Sequence, residues 1–277
     1  MHFWCKDNNY FRLIISKDNN GFMNMAIDEA IAIACRKKLS PPALRLYTWS
    51  PPCISIGYFQ DIKEVNIQEC KRQKIDIVRR LTGGKAVLHN KEITYSIISP
   101  VKSPIFPADI KGSYKKIAQG LLLGLKNMGI SAEIAEDRAK ELHRFSCFLN
   151  TSFYEITVKG KKLIGSAQKR WKDIFLQHGS IIISSPYSLL SDLINFKDQE
   201  EKRDFLRLHA EKGTSISEEL KRNASEGEII DAIKKGLEDG IGIRLKKDRL
   251  TKEEKIDAHR LFTEKYNTRR WNYNHLP

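Results

Sequence analysis

The chain has 277 residues, enough for one large domain or for a main domain with a small appendage, and its 41% hydrophobic and 9% aromatic content allows a sizeable core. No apolar run approaches the ~20 residues that span a bilayer, and the first residues lack a basic segment followed by an apolar one, so we expect a soluble cytoplasmic protein without a secretion signal. The net charge of +14 favours an acidic partner, either nucleic acid or an acidic protein.

The first half of the chain predicts strands with two short helical segments. FRLIIS (11–16) predicts a strand, and NMAIDEAIAIACRKK predicts a helix with Asn24 as its N-cap. ALRLYTW and CISIGYF flank the turn Ser50-Pro51-Pro52, and their alternating apolar residues predict two paired strands. A short helix over residues 65–73 and a strand over 74–78 follow.

The next hundred residues continue this alternation. EITYSIIS predicts a strand, and a helix is predicted to begin at Ser113 and to stop at Gly129. YEITVKGKKLIGSAQKR predicts a hairpin that turns at Lys159-Gly160, and DIFLQHGSIIIS continues the sheet. Strands and hairpins with a few interspersed helices indicate an α+β fold rather than a repeated βαβ fold.

The composition changes near residue 187. From there the sequence is mostly charged and helical, with predicted capping boxes at Ser225–Glu228 and Thr251–Glu254. We therefore predict a main domain over residues 1–187 and a helical C-terminal extension over residues 188–277 that packs on it.

The stretch RRLTGGKAVLHN (79–90) is the most unusual in the chain. Adjacent glycines after a strand indicate a tight turn or a close approach of the backbone to a ligand. The stretch does not match the P-loop, because Arg79 stands where the first glycine belongs and Ala86 follows Lys85, and it does not match the dinucleotide fingerprint. A plain hairpin turn with solvated basic residues remains the alternative.

The five cysteines are widely spaced and form no CxxC, which argues against a disulfide framework, and the histidines show no metal-ligand spacing. We expect no structural metal, and we expect most cysteines to be buried as small hydrophobic residues. Cys147 differs because it lies in a segment without strong periodicity that is rich in positive charge, from Arg138, Lys140, His143 and Arg144. Such charge would favour its thiolate.

Four stretches together resemble the cofactor-transferase family of lipoate-protein ligases, biotin-protein ligases and lipoyl octanoyltransferases. They are NMAIDEA (24–30), RRLTGGKAVLH (79–89), SCF (146–148) and KKLIGSAQKR with LQHGS (161–180), and the chain ends in the similar KYNTRRWNYN. The resemblance implies a mixed, largely antiparallel sheet with flanking helices. It identifies Lys162 as the catalytic lysine, and it implies an acyl-binding site formed by Arg79, Gly83, Gly84, Lys85, His89, Gly165 and Ser166.

Within this family the chain is most similar to the cysteine-dependent octanoyltransferases. Lys85 follows the glycine pair where ATP-dependent ligases commonly have a third glycine, and Val87-Leu88-His89, Glu92 and Thr94-Tyr95-Ser96 also fit. Cys147-Phe148 precedes Tyr154-Glu155, as the nucleophile pair does in that group, although Leu149-Asn150-Thr151 departs from the expected Asp-Ala-Pro.

The resemblance implies a two-step reaction. Cys147 takes octanoyl from the thioester of acyl carrier protein, and a lysine of a lipoyl-domain protein, such as the glycine cleavage H protein, then takes it as an amide. Lys162 would stabilise the thiolate and polarise the carbonyl, and neither ATP nor a metal is required. We expect a monomer that binds neither nucleic acid nor membrane and whose positive charge steers it toward acidic carrier and lipoyl domains.

Three alternatives remain open from the sequence. An ATP-dependent lipoate ligase would release pyrophosphate, and an amidotransferase would accept octanoyl from an octanoylated H protein. A nucleic-acid-binding module would account for the charge alone, but it would leave the cysteine and lysine motifs without a purpose.

Overall fold

The structure is a computed structural model that describes residues 10–135, 155–185 and 187–274. Its strands are β1 (Tyr10–Asn19), β2 (Ala43–Trp49), β3 (Cys53–Ile56), β4 (Asp76–Arg79), β5 (Val87–His89), β6 (Glu92–Pro100), β7 (Glu133–Ile134), β8 (Ile156–Val158), β9 (Lys161–Arg170), β10 (Ile174–Ile182) and β11 (Arg244–Lys247). Its α-helices are α1 (Gly21–Arg36), α2 (Ile67–Arg72), α3 (Ile110–Asn127), α4 (Tyr187–Asp192), α5 (Gln199–Lys212), α6 (Ile216–Leu220), α7 (Glu226–Ile241), α8 (Lys252–Leu261) and α9 (Arg269–Asn272). A 3₁₀ turn (Ile62–Glu64) and a π-helical turn (Phe262–Tyr266) complete the described elements.

The main sheet has eight strands in the order β11-β1-β2-β6-β10-β9-β8-β7. β1 is parallel to both of its neighbours, and every pairing from β2 to β7 is antiparallel. The predicted α+β fold with a mixed, largely antiparallel sheet is therefore confirmed. The predicted hairpin at Lys159-Gly160 joins β8 to β9, and both turn residues have positive φ.

A second sheet of three strands, in the order β4-β3-β5, carries the sequence that leads into and out of the glycine pair. The predicted pairing of β2 with β3 is wrong, because the two strands lie in different sheets. Both edges of β2 are already occupied, by β1 on one side and β6 on the other. β3 instead pairs with β4 in parallel and with β5 in antiparallel orientation.

Helices cover both faces of the main sheet. Neighbouring strand residues serve opposite faces: Phe175 joins the core under α3 and α7, whereas Leu176 joins the core under α1 and α8. α3 and α7 approach so closely that a Cβ on Gly236 would lie 2.1 Å from the backbone nitrogen of Gly124. A third core joins the small sheet to α4 and α5.

The helix starts differ from those predicted at two points. α1 begins at Gly21, and its N-cap is Asn20, whose side chain accepts from the Met23 amide at 2.9 Å, so the predicted cap at Asn24 is wrong. Asn24 is buried inside the helix instead, where its Nδ2 donates to the Thr48 carbonyl at 3.0 Å. α3 begins at Ile110 rather than Ser113, because Asp109 caps it.

The segment after residue 187 is mainly helical and packs on the preceding part. It also adds β11 to the edge of the main sheet beside β1, and the predicted capping box of Thr251 and Glu254 begins α8. The division of the chain into two domains at residue 187 stays a prediction. Among the described residues, no helix combines the length and apolarity needed to cross a bilayer.

Candidate functional site

A cavity of about 310 Å³ lies where the glycine turn meets the middle of the main sheet. The turn between β4 and β5 forms one wall, and β9 and β10 form another. Seven of the nine predicted site residues line it: Gly83, Gly84, Lys85, His89, Lys162, Gly165 and Ser166. The lining residues extend from Met25 to Ser180 in the sequence, and β2, β5, β6, β9 and β10 each contribute side chains to this one space.

The Arg80 guanidinium fixes the glycine turn by hydrogen bonds to its backbone carbonyls. Its Nη2 donates to the carbonyls of Gly83 at 2.7 Å and Lys85 at 2.8 Å, and its Nη1 donates to the carbonyl of Ser55 at 2.8 Å. Gly84 has a φ of 93°, a conformation that favours glycine. The turn also lies against Gly57, where a Cβ would come within 1.9 Å of the Gly84 carbonyl oxygen. The adjacent glycines therefore form a fixed turn, and its backbone forms part of the cavity wall.

Arg79, which the resemblance assigns to the acyl-binding site, makes its described contacts outside the cavity. It is not among the described residues that line the cavity, and its buried guanidinium donates to the backbone carbonyls of Gly57, Tyr58, Gln60, Trp271 and Asn272. Its backbone amide donates to Asn272 Oδ1 at 2.8 Å. Arg79 thus fastens the C-terminal helix α9 to the strand that precedes the glycine turn, and its described contacts are structural.

His89 belongs to a buried chain of polar side chains on one side of the cavity. Its Nε2 lies 2.8 Å from Ser55 Oγ, and its Nδ1 lies 3.2 Å from the carboxylate of Glu92. Its ring stacks on Trp49, with centroids 3.8 Å apart. Burial lowers the pKa of His89, against the opposing effect of Glu92, so the imidazole is neutral at pH 7.

A second histidine, His178, mirrors this arrangement. Its Nε2 lies 2.7 Å from Thr82 Oγ1, and its Nδ1 faces the Asp28 carboxylate at 3.7 Å. Burial raises the pKa of Asp28, but Arg45 and His178 outweigh it and hold this pKa below its ordinary value. The hydroxyls bound by the two histidines also accept from Arg80, Ser55 at 3.1 Å and Thr82 at 3.2 Å. Each histidine is therefore linked through one hydroxyl to Arg80, the residue that fixes the glycine turn.

Lys162 lies on β9, next to the predicted hairpin, and is only 4% exposed. Its Nζ donates to Glu155, which is also buried and lines the same cavity. A buried lysine held by a buried carboxylate is not a solvated surface residue, which is the usual fate of a lysine on a hairpin. The structure thus places Lys162 in the wall of the cavity, paired with Glu155.

Gly165 and Ser166 lie opposite Ser180 and Gly179 on β10. Ser166 Oγ lies 2.7 Å from the hydroxyl of Tyr95, whose ring crosses Gly179 so closely that a Cβ there would be 2.5 Å from it. These small residues keep the floor of the cavity open. Cys147, the predicted nucleophile, lies outside the described residues.

Sequence reasoning did not assign several lining residues to this site, among them Arg80, Glu155, His178 and Trp49. The sequence did contain one signal for Arg80. Neighbouring residues of a strand point to opposite sides, so only one of Arg79 and Arg80 can face the glycine turn. The motifs LQHGS and YE contained His178 and Glu155, but nothing in either motif indicated what these side chains contact. Pairing across the sheet, which the sequence does not show, decides those contacts.

The mixed sheet, the buried lysine on its hairpin and the glycine turn across a shared cavity agree with the catalytic-domain fold that the sequence resemblance implies. Residues 20–238 match the family of lipoyl protein ligase A/B catalytic domains. The chain belongs to this family.

Relatives of known activity match nearly the whole chain. The octanoyltransferase LipM of Brevibacillus brevis is 40% identical over 270 residues, which cover 95% of this chain and 98% of the relative. The octanoyltransferase LipM of Carboxydothermus hydrogenoformans is 41% identical, covering 91% and 94% respectively, and that of Bacillus subtilis is 36% identical, covering 95% and 98%.

Solved structures support the fold. A bipartite lipoate protein ligase from an archaeal lipoylation system of Thermoplasma acidophilum superimposes with a TM-score of 0.82 at 23% identity, covering 97% of this chain and 98% of the other. A lipoate-protein ligase A bound with ATP gives a TM-score of 0.77 at 24% identity, covering 95% and 98%. At these identities the likeness establishes the architecture alone.

Proposed function

We propose that this protein is an octanoyltransferase that moves octanoyl from acyl carrier protein to a lysine of a lipoyl-domain protein through a thioester on Cys147. The observation that carries the proposal is the match of octanoyltransferases at 36–41% identity over at least 91% of the chain. The cavity supports it, because a buried lysine and a glycine turn face the same space.

The first step forms the octanoyl-enzyme. The Cys147 thiolate attacks the carbonyl carbon of the octanoyl thioester, and the thiolate of the carrier leaves and takes up a proton. The Lys162 ammonium supplies a positive charge for the developing oxyanion, and in a buried site such a charge acts more strongly than in water. The glycine turn lets the acyl group pass close to the backbone, because Gly83 and Gly84 carry no side chains.

The second step transfers the octanoyl group to the acceptor. The neutral amine of the acceptor lysine attacks the thioester carbonyl, the amide forms, and the Cys147 thiolate leaves and takes up the proton that the nitrogen loses. A thioester already holds the acyl group in activated form, so the reaction needs neither ATP nor a metal. Glycine cleavage H protein is the acceptor that we propose to test first.

A reconstituted transfer assay tests this function. Purified protein is incubated with octanoyl-carrier protein and apo-H protein without ATP, and octanoyl-H protein is measured by mass spectrometry. We expect octanoylation at a single lysine. A ligase would give no product without ATP, but it would give octanoyl-H protein and pyrophosphate when ATP and free octanoate are supplied. An amidotransferase would give product only when octanoyl-H protein is the donor and a second lipoyl domain is the acceptor.

A further inference from the structure

The charge around the cavity is unevenly divided. Three cationic side chains line it, those of Arg80, Lys85 and Lys162, whereas Glu155 is the one carboxylate among the described lining residues. The acceptor in the proposed second step is a lysine amine, which is an ammonium ion at neutral pH. It must enter a predominantly cationic space and lose protons before an amide can form. Glu155 is the lining group suited by charge to receive it.

Glu155 is held in a fixed position beside Lys162. It precedes β8, where its carbonyl accepts from the Ala135 amide at 2.8 Å, and its carboxylate accepts from Lys162 Nζ. The segment between α5 and α6 holds the backbone of Lys162, because the Lys162 carbonyl accepts from the Thr214 amide at 3.0 Å. Both side chains are at most 5% exposed, so the carboxylate acts in a site with little solvent.

The two histidines of the cavity are less suited to take the proton. Arg80 donates to the hydroxyl oxygens of Ser55 and Thr82, so each hydroxyl hydrogen is directed to the nearby histidine Nε2. The Nε2 lone pairs of His89 and His178 are thereby occupied. In addition, the Nδ1 atoms face carboxylates, which favours a hydrogen on each of them.

We propose that Glu155 is a further catalytic residue, the base that accepts the proton of the acceptor lysine. This rests on the proposed function. The Glu155 carboxylate first takes a proton from the acceptor ammonium, which frees the nitrogen lone pair to attack the thioester carbon. As the carbon–sulfur bond breaks, its electron pair leaves with the Cys147 sulfur; Lys162 stabilises the developing thiolate, which takes up the second proton from the nitrogen. After the product leaves, Glu155 and Cys147 each release their proton to solvent.

Single-turnover chemistry on the isolated octanoyl-enzyme tests this role. Glu155→Gln is first acylated by octanoyl-carrier protein and then mixed either with apo-H protein or with hydroxylamine, a nucleophile that is largely neutral at pH 7 and needs no base before it attacks. We expect transfer to H protein to fall about 10²–10⁴-fold, the usual contribution of general-base catalysis, while cleavage by hydroxylamine keeps the wild-type rate. Glu133→Gln, on the exposed neighbouring strand β7, serves as the matched control and should behave as wild type in both reactions.

Each other outcome overturns the proposal. Equal losses with both nucleophiles would mean that Glu155 only maintains the site, and wild-type transfer to H protein would mean that it has no role in the amine step. A variant that cannot be acylated would place Glu155 in the first step instead. Absence of an octanoyl-enzyme in the wild type is a different result, because it contradicts the proposed function itself.

Discussion

Arg80 Nη2 donates to the carbonyl oxygen of Gly83 at 2.7 Å, so one buried guanidinium fixes the position of the turn that forms the cavity wall. Arg79, the next residue in the chain, holds the C-terminal segment instead. Two adjacent arginines thus serve different parts of the molecule, and their substitution should have different consequences.

Arg80→Lys should reduce octanoyl transfer about 10²-fold, the loss expected when a turn beside the reacting atoms moves by ~1 Å. Lysine cannot reproduce the planar set of donors that reaches Ser55, Gly83 and Lys85 together. Arg79→Lys should mainly lower the free energy of unfolding, by about 1–3 kcal/mol for each buried carbonyl left without a donor. Transfer rates measured at a temperature where both variants are folded, together with urea unfolding curves, distinguish the effect on activity from the effect on stability. Equal losses of activity in the two variants would contradict the division of roles.

The two glycines of the turn should also differ on substitution. Gly84 has positive φ, so Gly84→Ala should lower the free energy of unfolding by about 1–3 kcal/mol. A Cβ on Gly83 would meet nothing within 4 Å, so Gly83→Ala should leave stability unchanged and lower transfer by narrowing the cavity. Urea titrations and transfer rates on both variants check this. Wild-type transfer by a folded Gly83→Ala variant would show that the acyl group does not pass this residue.

His89 should make the stability of the protein depend on pH. Because burial lowers its pKa in the folded state, the unfolded chain binds a proton more readily, so the free energy of unfolding should fall as the pH drops below about 6.5. Above that pH, His89 is neutral in both the folded and the unfolded chain, and its protonation no longer lowers the free energy of unfolding. His89→Gln should flatten this part of the pH profile of urea unfolding, whereas His259→Gln, on an exposed face of α8, should keep the wild-type slope. Parallel profiles for wild type and His89→Gln would exclude His89 as the cause.

Lys162→Ala should slow acylation of Cys147 about 10²–10³-fold, because the oxyanion loses a preorganised cation. Lys162→Arg should recover little, since a planar fork does not replace a compact ammonium beside Glu155. Lys161→Ala, one residue away but exposed, is the matched control and should acylate normally. Rapid-quench measurement of octanoyl-enzyme formation checks all three, and a wild-type rate in Lys162→Ala would remove this lysine from the mechanism.

Local patterns in the sequence predicted most strands and the hairpin at Lys159-Gly160, because these depend on neighbours in the chain. The residues of the glycine turn were assigned to the site by the family resemblance, and the structure places Gly83, Gly84 and Lys85 in the cavity lining. The pairing of β2 with β3 was wrong, since the partner of a strand is decided by which other edges are open, and β1 and β6 already occupy those of β2. The contacts of Arg79 and Arg80 could not be predicted, because the partners of Arg79 lie as far along the chain as Asn272. Glu155 was visible in a motif, but its contact with Lys162 depends on the register of the hairpin.

The most direct test of the mechanism is the intact mass of the protein after incubation with octanoyl-carrier protein in the absence of ATP. We predict the addition of one octanoyl group to the wild type, removed by hydroxylamine and mapped to Cys147, and no adduct on Cys147→Ser under the same conditions. Serine replacements of Cys35, Cys53 and Cys70, which are all buried, should still form the adduct. An unmodified wild type, or full transfer activity in Cys147→Ser, would contradict the acyl-enzyme mechanism.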